Sequence, residues 1–369
     1  MQNIIKNKKK VKSAIVGADI SKDRRGPWKD VDDADWKDWR WQVRNRIRSG
    51  RQLAELLMEA PIAAGSLRAV IRTYPFSITP YYFSLIREGD PDDPIRFQCV
   101  PDPREVSFSL GGVDDPLEES RDMPVPGLIH RYADRCLIMA TSKCMMYCRH
   151  CNRKRRWKAG AADRAPLRAM IDYVAATPEI REVIVSGGDP LTLPEKVLDE
   201  FLGALRAIPH VEVLRIGSRI PVVLPMRITA PLVRILRKHR PLWFNTQFNS
   251  PREITPESAE ACERLVDAGI PVSNQSVLLK GINDDYETMR RLLYGLQRIS
   301  VRPYYLFQCD PVRGADHFRV DFWKGMEMME RISRQTSGLC LPRYVIDVPG
   351  GRGKMPLQTF SLLADSDIS

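Results

Sequence analysis

The chain has 369 residues, 43% hydrophobic and 28% charged, the proportions of a folded globular protein rather than a disordered or fibrous one. No apolar run reaches the roughly 18 residues that a membrane helix needs, and the opening MQNIIKNKKKVKSAIVG lacks the apolar stretch of a secretory signal. A net charge of +11 leaves an anionic partner open, although much of that charge lies in the first residues and in RHCNRKRR.

Residues 1–27 read as a polar, basic, disordered tail. From Trp28 to about 125 the chain reads as a helical region followed by a connector. WKDVDDADWKDWRWQVRNRI holds four of the seven tryptophans, and its acidic start and basic end suit a helix dipole. RQLAELLMEA and LRAVIRTY continue as short helices, and residues 91–127, rich in Pro, Gly and acids, read as irregular connection. Over 126–340 short β-rich runs alternate with helical periodicity. The strands are CLIMAT, EVIVS, VEVLRIG, LWFNTQF, VSNQSVLL and RPYYLFQ, each followed by an amphipathic segment. Six β-then-α units predict an α/β fold with a parallel sheet, curled as a partial barrel or left open, with its chemistry at the strands' C-terminal ends. Residues 341–369 form a last, glycine-containing segment.

The eight cysteines are scattered except for one group, a distribution that suits a reducing cytoplasm rather than a disulfide framework. Cys144, Cys148 and Cys151 follow the first strand directly, spaced C-x3-C-x2-C. Three thiolates in one loop can hold three irons of a [4Fe–4S] cube and leave the fourth open to a chelating molecule. The competing reading is a structural zinc, which needs a fourth ligand such as His150 or a distant cysteine. Joined to the basic segments, it would describe a zinc-containing nucleic-acid-binding protein. After the second strand, Gly188 and Asp189 sit in a glycine turn that would let backbone approach a ligand and expose amides to a carboxylate. DVPGGRGK places Lys354 at the end of a glycine-rich loop, where an amine can be presented to an aldehyde.

The cysteine spacing resembles the radical S-adenosylmethionine superfamily. DADWKDWRWQVRNRI, PVPGLIHRYADR, CMMYCRHCNRKR, NQSVLLKGIND, RPYYLFQCD and DVPGGRGK resemble the lysine 2,3-aminomutase family from about Trp28 to Pro356. The resemblance implies a partial (β/α)6 barrel with an N-terminal helical region, and three cofactors: a [4Fe–4S] cluster, S-adenosylmethionine and pyridoxal phosphate. It implies cluster ligation by Cys144, Cys148 and Cys151, and S-adenosylmethionine contacts from His150, Gly188, Asp189 and Gln275. Lys354 would carry pyridoxal phosphate, with Arg131, Tyr132, Arg135 and Arg219 as candidates for its phosphate. Arg153 would hold the substrate carboxylate, and Asp310 and Asp347 the distal cation of a basic amino acid.

Four departures from the family pattern stand out. Asp285 occupies the position of a zinc-binding cysteine, and the sequence runs only fifteen residues past Lys354, so the family's C-terminal zinc site is expected to be missing. Gln247 replaces a histidine and Phe307 a tyrosine. Arg313 and Asp316 bring polarity to a loop that is apolar in the family, which keeps a larger cation in view. The expected activity is migration of the α-amino group of L-lysine to the β carbon. Arginine is the alternative substrate, and a lysyl residue of a translation elongation factor a third. The expected partners are a small basic amino acid and an electron donor such as flavodoxin or ferredoxin, in a cytoplasmic enzyme, possibly a homo-oligomer, with neither membrane nor nucleic acid.

Overall fold

The computed structural model describes residues 22–57, 61–157, 167–350 and 353–357. Residues 1–21 of the expected tail, the first residues of the APLRAMIDYVAAT helix, Gly351, Arg352 and residues 358–369 lie outside them. Nine strands make one sheet in sequence order: Leu128–Tyr132 (β1), Arg135–Thr141 (β2), Glu182–Gly187 (β3), Val213–Gly217 (β4), Leu242–Thr246 (β5), Val272–Leu278 (β6), Arg302–Gln308 (β7), Arg343–Val348 (β8) and Gly353–Pro356 (β9). β2 to β8 run parallel, and β1 and β9 are antiparallel edges. Helices Leu167–Ala175, Glu195–Arg206, Ala230–Lys238, Pro256–Asp267, Tyr286–Arg298 and Phe322–Gln335 follow β2 to β7 in turn. These are the six expected βα units, arranged as a partial parallel barrel.

Successive strand residues face opposite sides, and this alternation separates core from cavity. On β3, Val183 and Val185 are buried under the helices while Ile184 and Ser186 line the interior. On β4, Leu214 and Ile216 do the same for Arg215 and Gly217. The helices start where polar caps allow: Thr229, Thr255, Asp285 and Asp321 each accept a hydrogen bond from a first-turn amide.

Three sequence expectations change. The tryptophan-rich segment is two helices, Asp33–Lys37 and Trp39–Arg44, because extended Asp38 ends one and its carboxylate caps Arg40 N and Trp41 N of the next. The connector contains helices Pro94–Cys99 and Arg104–Ser107, the first capped by Asp93. Most consequential, the residues around Lys354, expected as loop, are strand, and HRYADR, for which no element was expected, spans the turn between two strands. Arg131 and Tyr132 end β1, Arg135 starts β2, Asp347 lies on β8 and Lys354 on β9. The sheet's two edges then meet through side chains. Lys354 Nζ on β9 is 3.5 Å from the Tyr132 hydroxyl on β1, and Arg131 Nη1 is 3.6 Å from Asp347 Oδ1. A single apolar cluster runs from Trp36 through the barrel to Tyr344, so the N-terminal helices pack as part of the same core.

Candidate active site

A cavity of about 660 Å³ opens at the C-terminal ends of the strands. Cys144, Cys148, Cys151, His150, Arg153, Gly188, Asp189, Arg219, Gln275, Asp310, Asp347 and Lys354 all line it. Residues separated by more than 200 positions are thus brought to one space by the barrel alone. Of the candidate cofactor and substrate residues, Arg131, Tyr132 and Arg135 stand outside the lining.

The cysteine loop leaves β2 and is fixed from three sides. Gly188 N donates to Thr141 O at 2.6 Å and Asp189 N to Lys143 O at 2.7 Å. Ser77 Oγ donates to Met145 O, and Arg149 N donates to Gln98 O. All eight cysteines are free thiols. Burial pushes the Cys144 thiol well up and that of Cys151 to about 11. The glycine turn therefore differs from expectation. Its amides are engaged by the cysteine loop, and a Cβ on Gly188 would lie 2.3 Å from Lys143 O. The close approach that these glycines permit is to the protein's own backbone.

Asp189 is likewise occupied. Its carboxylate accepts from Ser218 Oγ at 2.8 Å, Arg219 N at 2.9 Å and Leu191 N at 3.1 Å, which ties the loop after β4 to that after β3. Burial raises it to about 6 in spite of those donors. His150 is buried edge-on against Phe318, with Nε2 3.2 Å from Gln247 Nε2 and 3.3 Å from Asn249 Nδ2. Its Nδ1 is buried without a partner, and burial holds the ring neutral.

Arg219, a phosphate candidate in the sequence, points elsewhere. Its Nη1 donates to Cys148 Sγ at 2.8 Å and its Nη2 to Glu253 Oε1 at 2.7 Å and Gln98 Oε1 at 2.5 Å. Arg131 is also engaged, with Asp122 at 2.6 Å and with the Leu117 carbonyl. Arg135 pairs with Asp134 at 2.8 Å and stacks 3.9 Å over the Tyr132 ring.

Arg153 presents its Nε and Nη2 to a single oxygen of Glu119, at 2.9 and 2.6 Å. Burial pushes the Glu119 carboxyl up, but the charges of Arg153 and Arg155 outweigh that and hold it at about 2. Asp310 accepts from Asn152 Nδ2 at 2.9 Å, and burial with the nearby Asp347 raises it to about 6. Asp347 Oδ2 is 3.2 Å from Lys354 Nζ, and its Oδ1 has no hydrogen-bond partner. The Lys354 ammonium also lies 5.8 Å from the Phe307 ring centre.

Sequence reading missed Glu119, Glu253, Gln98, Asn152 and Arg215. Glu119 lies in DDPLEES, an acidic run indistinguishable from a solvated turn. Arg215 follows from β4 alternation once the inward face is known, and it reaches the cavity beside Glu182. Arg313 and Asp316, read as pocket polarity, are absent from the lining: Arg313 pairs with Asp114 at 3.0 Å, and Asp316 accepts from Gly112 N at 3.2 Å. That removes the observation on which a larger substrate cation rested.

Residues 138–293 match the radical SAM superfamily. The L-lysine 2,3-aminomutase of Clostridium subterminale is 47% identical over 342 residues, covering 92% of this chain and 82% of its own. That of Bacillus subtilis is 46% identical over 341 residues, 92% of this chain and 72% of its own. The glutamate 2,3-aminomutase of Clostridioides difficile is 41% identical over 327 residues, 88% of this chain and 77% of its own. A Streptococcus suis SuiB structure bound to S-adenosylmethionine overlaps 58% of this chain and 50% of that one at 12% identity and a TM-score of 0.45, too low to bear on function. The chain belongs to the lysine 2,3-aminomutase family of radical SAM enzymes, isomerases that work with a [4Fe–4S] cluster, S-adenosylmethionine and pyridoxal phosphate.

Proposed function

We propose that this enzyme converts L-lysine to β-lysine by moving the α-amino group to the β carbon. The observation that carries the substrate is the pair Asp310 and Asp347, two carboxylates lining one cavity with the cysteines and Lys354. Two neighbouring carboxylates in one cavity favour a distal ammonium and repel a distal carboxylate, so they argue against glutamate, on which one relative acts by name.

The residues fit the cofactors. Three free thiols and an unpartnered His150 Nδ1 line one wall. Among the described residues no three His, Cys, Asp or Glu side chains converge on a single ion; in a cube each thiolate holds its own iron. Lys354 Nζ lies 5.8 Å from the centre of a flat aromatic ring, Phe307, which suits a pyridine cofactor. When bound, the reduced cluster supplies the electron that cleaves S-adenosylmethionine to a hydrogen-abstracting radical, and pyridoxal phosphate supplies the π system through which nitrogen migrates.

In this reading Cys144, Cys148 and Cys151 hold the cluster, and His150 and Gln275 face S-adenosylmethionine. Gly188 and Asp189 fix the loops around it. Lys354 binds pyridoxal phosphate covalently, with Tyr132 and Arg135 toward its phosphate. Glu119 immobilises one edge of the Arg153 guanidinium, leaving the other for the substrate carboxylate, and Asp310 and Asp347 take the ammonium. The apolar walls Leu137, Ile184 and Val277 help to keep water from the radical. Among the described residues no helix is long and apolar enough to cross a membrane, and the eight free thiols suit the cytoplasm, with a flavodoxin or ferredoxin as reductant.

The test is incubation of anaerobically reconstituted, dithionite-reduced protein with both small cofactors and equal lysine, arginine and glutamate, followed by mass spectrometry. β-Lysine is the expected product. β-Arginine or β-glutamate as the main product would overturn the substrate assignment while leaving the family intact.

A further inference from the structure

Arg219 has a place in this site that its sequence position did not suggest. Its guanidinium is buried and held at three corners. Nε donates to Gln247 O at 3.1 Å, Nη2 to Glu253 and Gln98, and Nη1 to the sulfur of Cys148. Its own amide is fixed by Asp189. Glu253 is fully buried, and its other oxygen takes amide hydrogens from Asn249 at 2.6 Å and Ser250 at 2.9 Å. Tyr82 donates to the same Glu253 oxygen as Arg219, at 2.6 Å. The counter-charge therefore lies beyond the guanidinium as seen from Cys148 and is shared with two amides and a phenol. What the sulfur meets is the cation.

We infer that Arg219 sets the reduction potential of the iron–sulfur cluster through Cys148. It is a positioning residue in this sense, acting through the thiolate rather than on substrate. The inference rests on Cys144, Cys148 and Cys151 being the cluster ligands. A hydrogen bond to a cluster sulfur and a nearby positive charge both favour the form carrying the extra electron, and hydrogen bonding and net charge are established determinants of such potentials. In a buried, low-dielectric setting the effect is larger than at a surface. Glu253 moderates it from the far side, so the two residues push the potential in opposite directions. The redox step is simple: the oxidised cluster gains one electron from dithionite, which is oxidised, and no bond to the protein changes.

The experiment is an anaerobic redox titration of the reconstituted full chain, with the reduced cluster read by electron paramagnetic resonance and iron and sulfide measured in parallel. Arg219→Met keeps bulk and removes both charge and donors. It is expected to lower the midpoint, reducing the reduced-to-oxidised ratio about tenfold at fixed poise, which is 59 mV for one electron. Glu253→Gln keeps Arg219 and removes its counter-charge, and is expected to shift the midpoint the other way. A role confined to folding would not give opposite shifts at full iron content. Unchanged midpoints, or shifts of the same sign, overturn the inference. If Arg219→Met holds no cluster, Glu253→Gln alone decides. If neither variant holds one, Arg219 is a structural part of the loop and the inference fails. A parent protein without iron and sulfide, or a Cys148→Ala variant with an unaltered cluster, would instead refute the ligand assignment.

Discussion

Asp310 and Asp347 share a cavity but not an environment, and the difference has a measurable consequence. Asp347 lies between the cations Lys354 and Arg131. Asp310 has one neutral donor, Asn152, and is raised to about 6 by burial and by the neighbouring charges of Asp347 and Glu119, with Lys354 acting in the opposite sense. A carboxyl raised above its ordinary value stays protonated over a wider acid range, and only its ionised form pairs with an ammonium. KM for lysine should therefore rise as pH falls through about 6, with a limiting slope of about tenfold per pH unit for one proton. A pH profile of KM at saturating cofactors checks it, and Asp310→Asn should flatten the profile. A steep rise surviving in that variant would assign the titration to another group. At this scale the sequence pointed to residues that line the cavity where a motif surrounds them, as for the cysteines, Lys354 and both aspartates. Glu119 and Glu253 were not readable, because a buried carboxylate and a solvated one look alike until the partner arginine is placed.

At the scale of elements, the six βα units were legible because β-branched runs and 3.6-residue periodicity recur without ambiguity. β1 and β9 escaped because edge strands need only one apolar face and β9 is four residues of mixed character, and β8 escaped because it lies in the short segment read as glycine-containing. The glycine turn after β3 was legible as a place of close approach, but its partner was not. A Cβ on Gly188 meets the Lys143 carbonyl oxygen at 2.3 Å and its carbon at 2.7 Å, both backbone atoms that cannot rotate aside. Gly187 has φ +125°, and a Cβ there would lie 2.4 Å from Thr141 O. Gly188→Ala should push the cysteine loop off the end of β3, at about 1–3 kcal/mol of stability, and lower bound iron after reconstitution. Thermal melting and iron analysis measure the two effects. Normal iron content with an unchanged Tm would mean that the loop has room this packing denies it.

Across the whole molecule, the N-terminal region and the barrel are joined at the cysteine loop by a buried triad. Glu105, in the short helix Arg104–Ser107, accepts from Arg149 Nε at 2.9 Å and Nη2 at 2.6 Å and from Lys154 Nζ at 2.7 Å. Lys154 Nζ also donates to Gly314 O beyond β7, and Arg149 Nη1 to Pro75 O. One carboxylate thus gathers the connector, the cluster loop, the β7 loop and the N-terminal helices. Burial pushes Glu105 up, but the two cations outweigh it and hold it below the ordinary carboxylate range. Its contribution to stability is therefore complete above the unfolded glutamate value and is lost as pH falls through the lower folded value. Glu105→Ala would leave two buried cations without their counter-charge, which typically costs about 3–5 kcal/mol. A small polar substitution at a surface glutamate such as Glu260, paired only with Arg264 one helical turn away, should cost well under 1 kcal/mol. Denaturant titration of both variants gives the comparison. The triad reading also requires that the Glu105→Ala deficit shrink at acid pH, where the parent protein has lost the same charge. A deficit independent of pH would mean that Glu105 acts through packing, and that the two regions are held together by their shared apolar core alone.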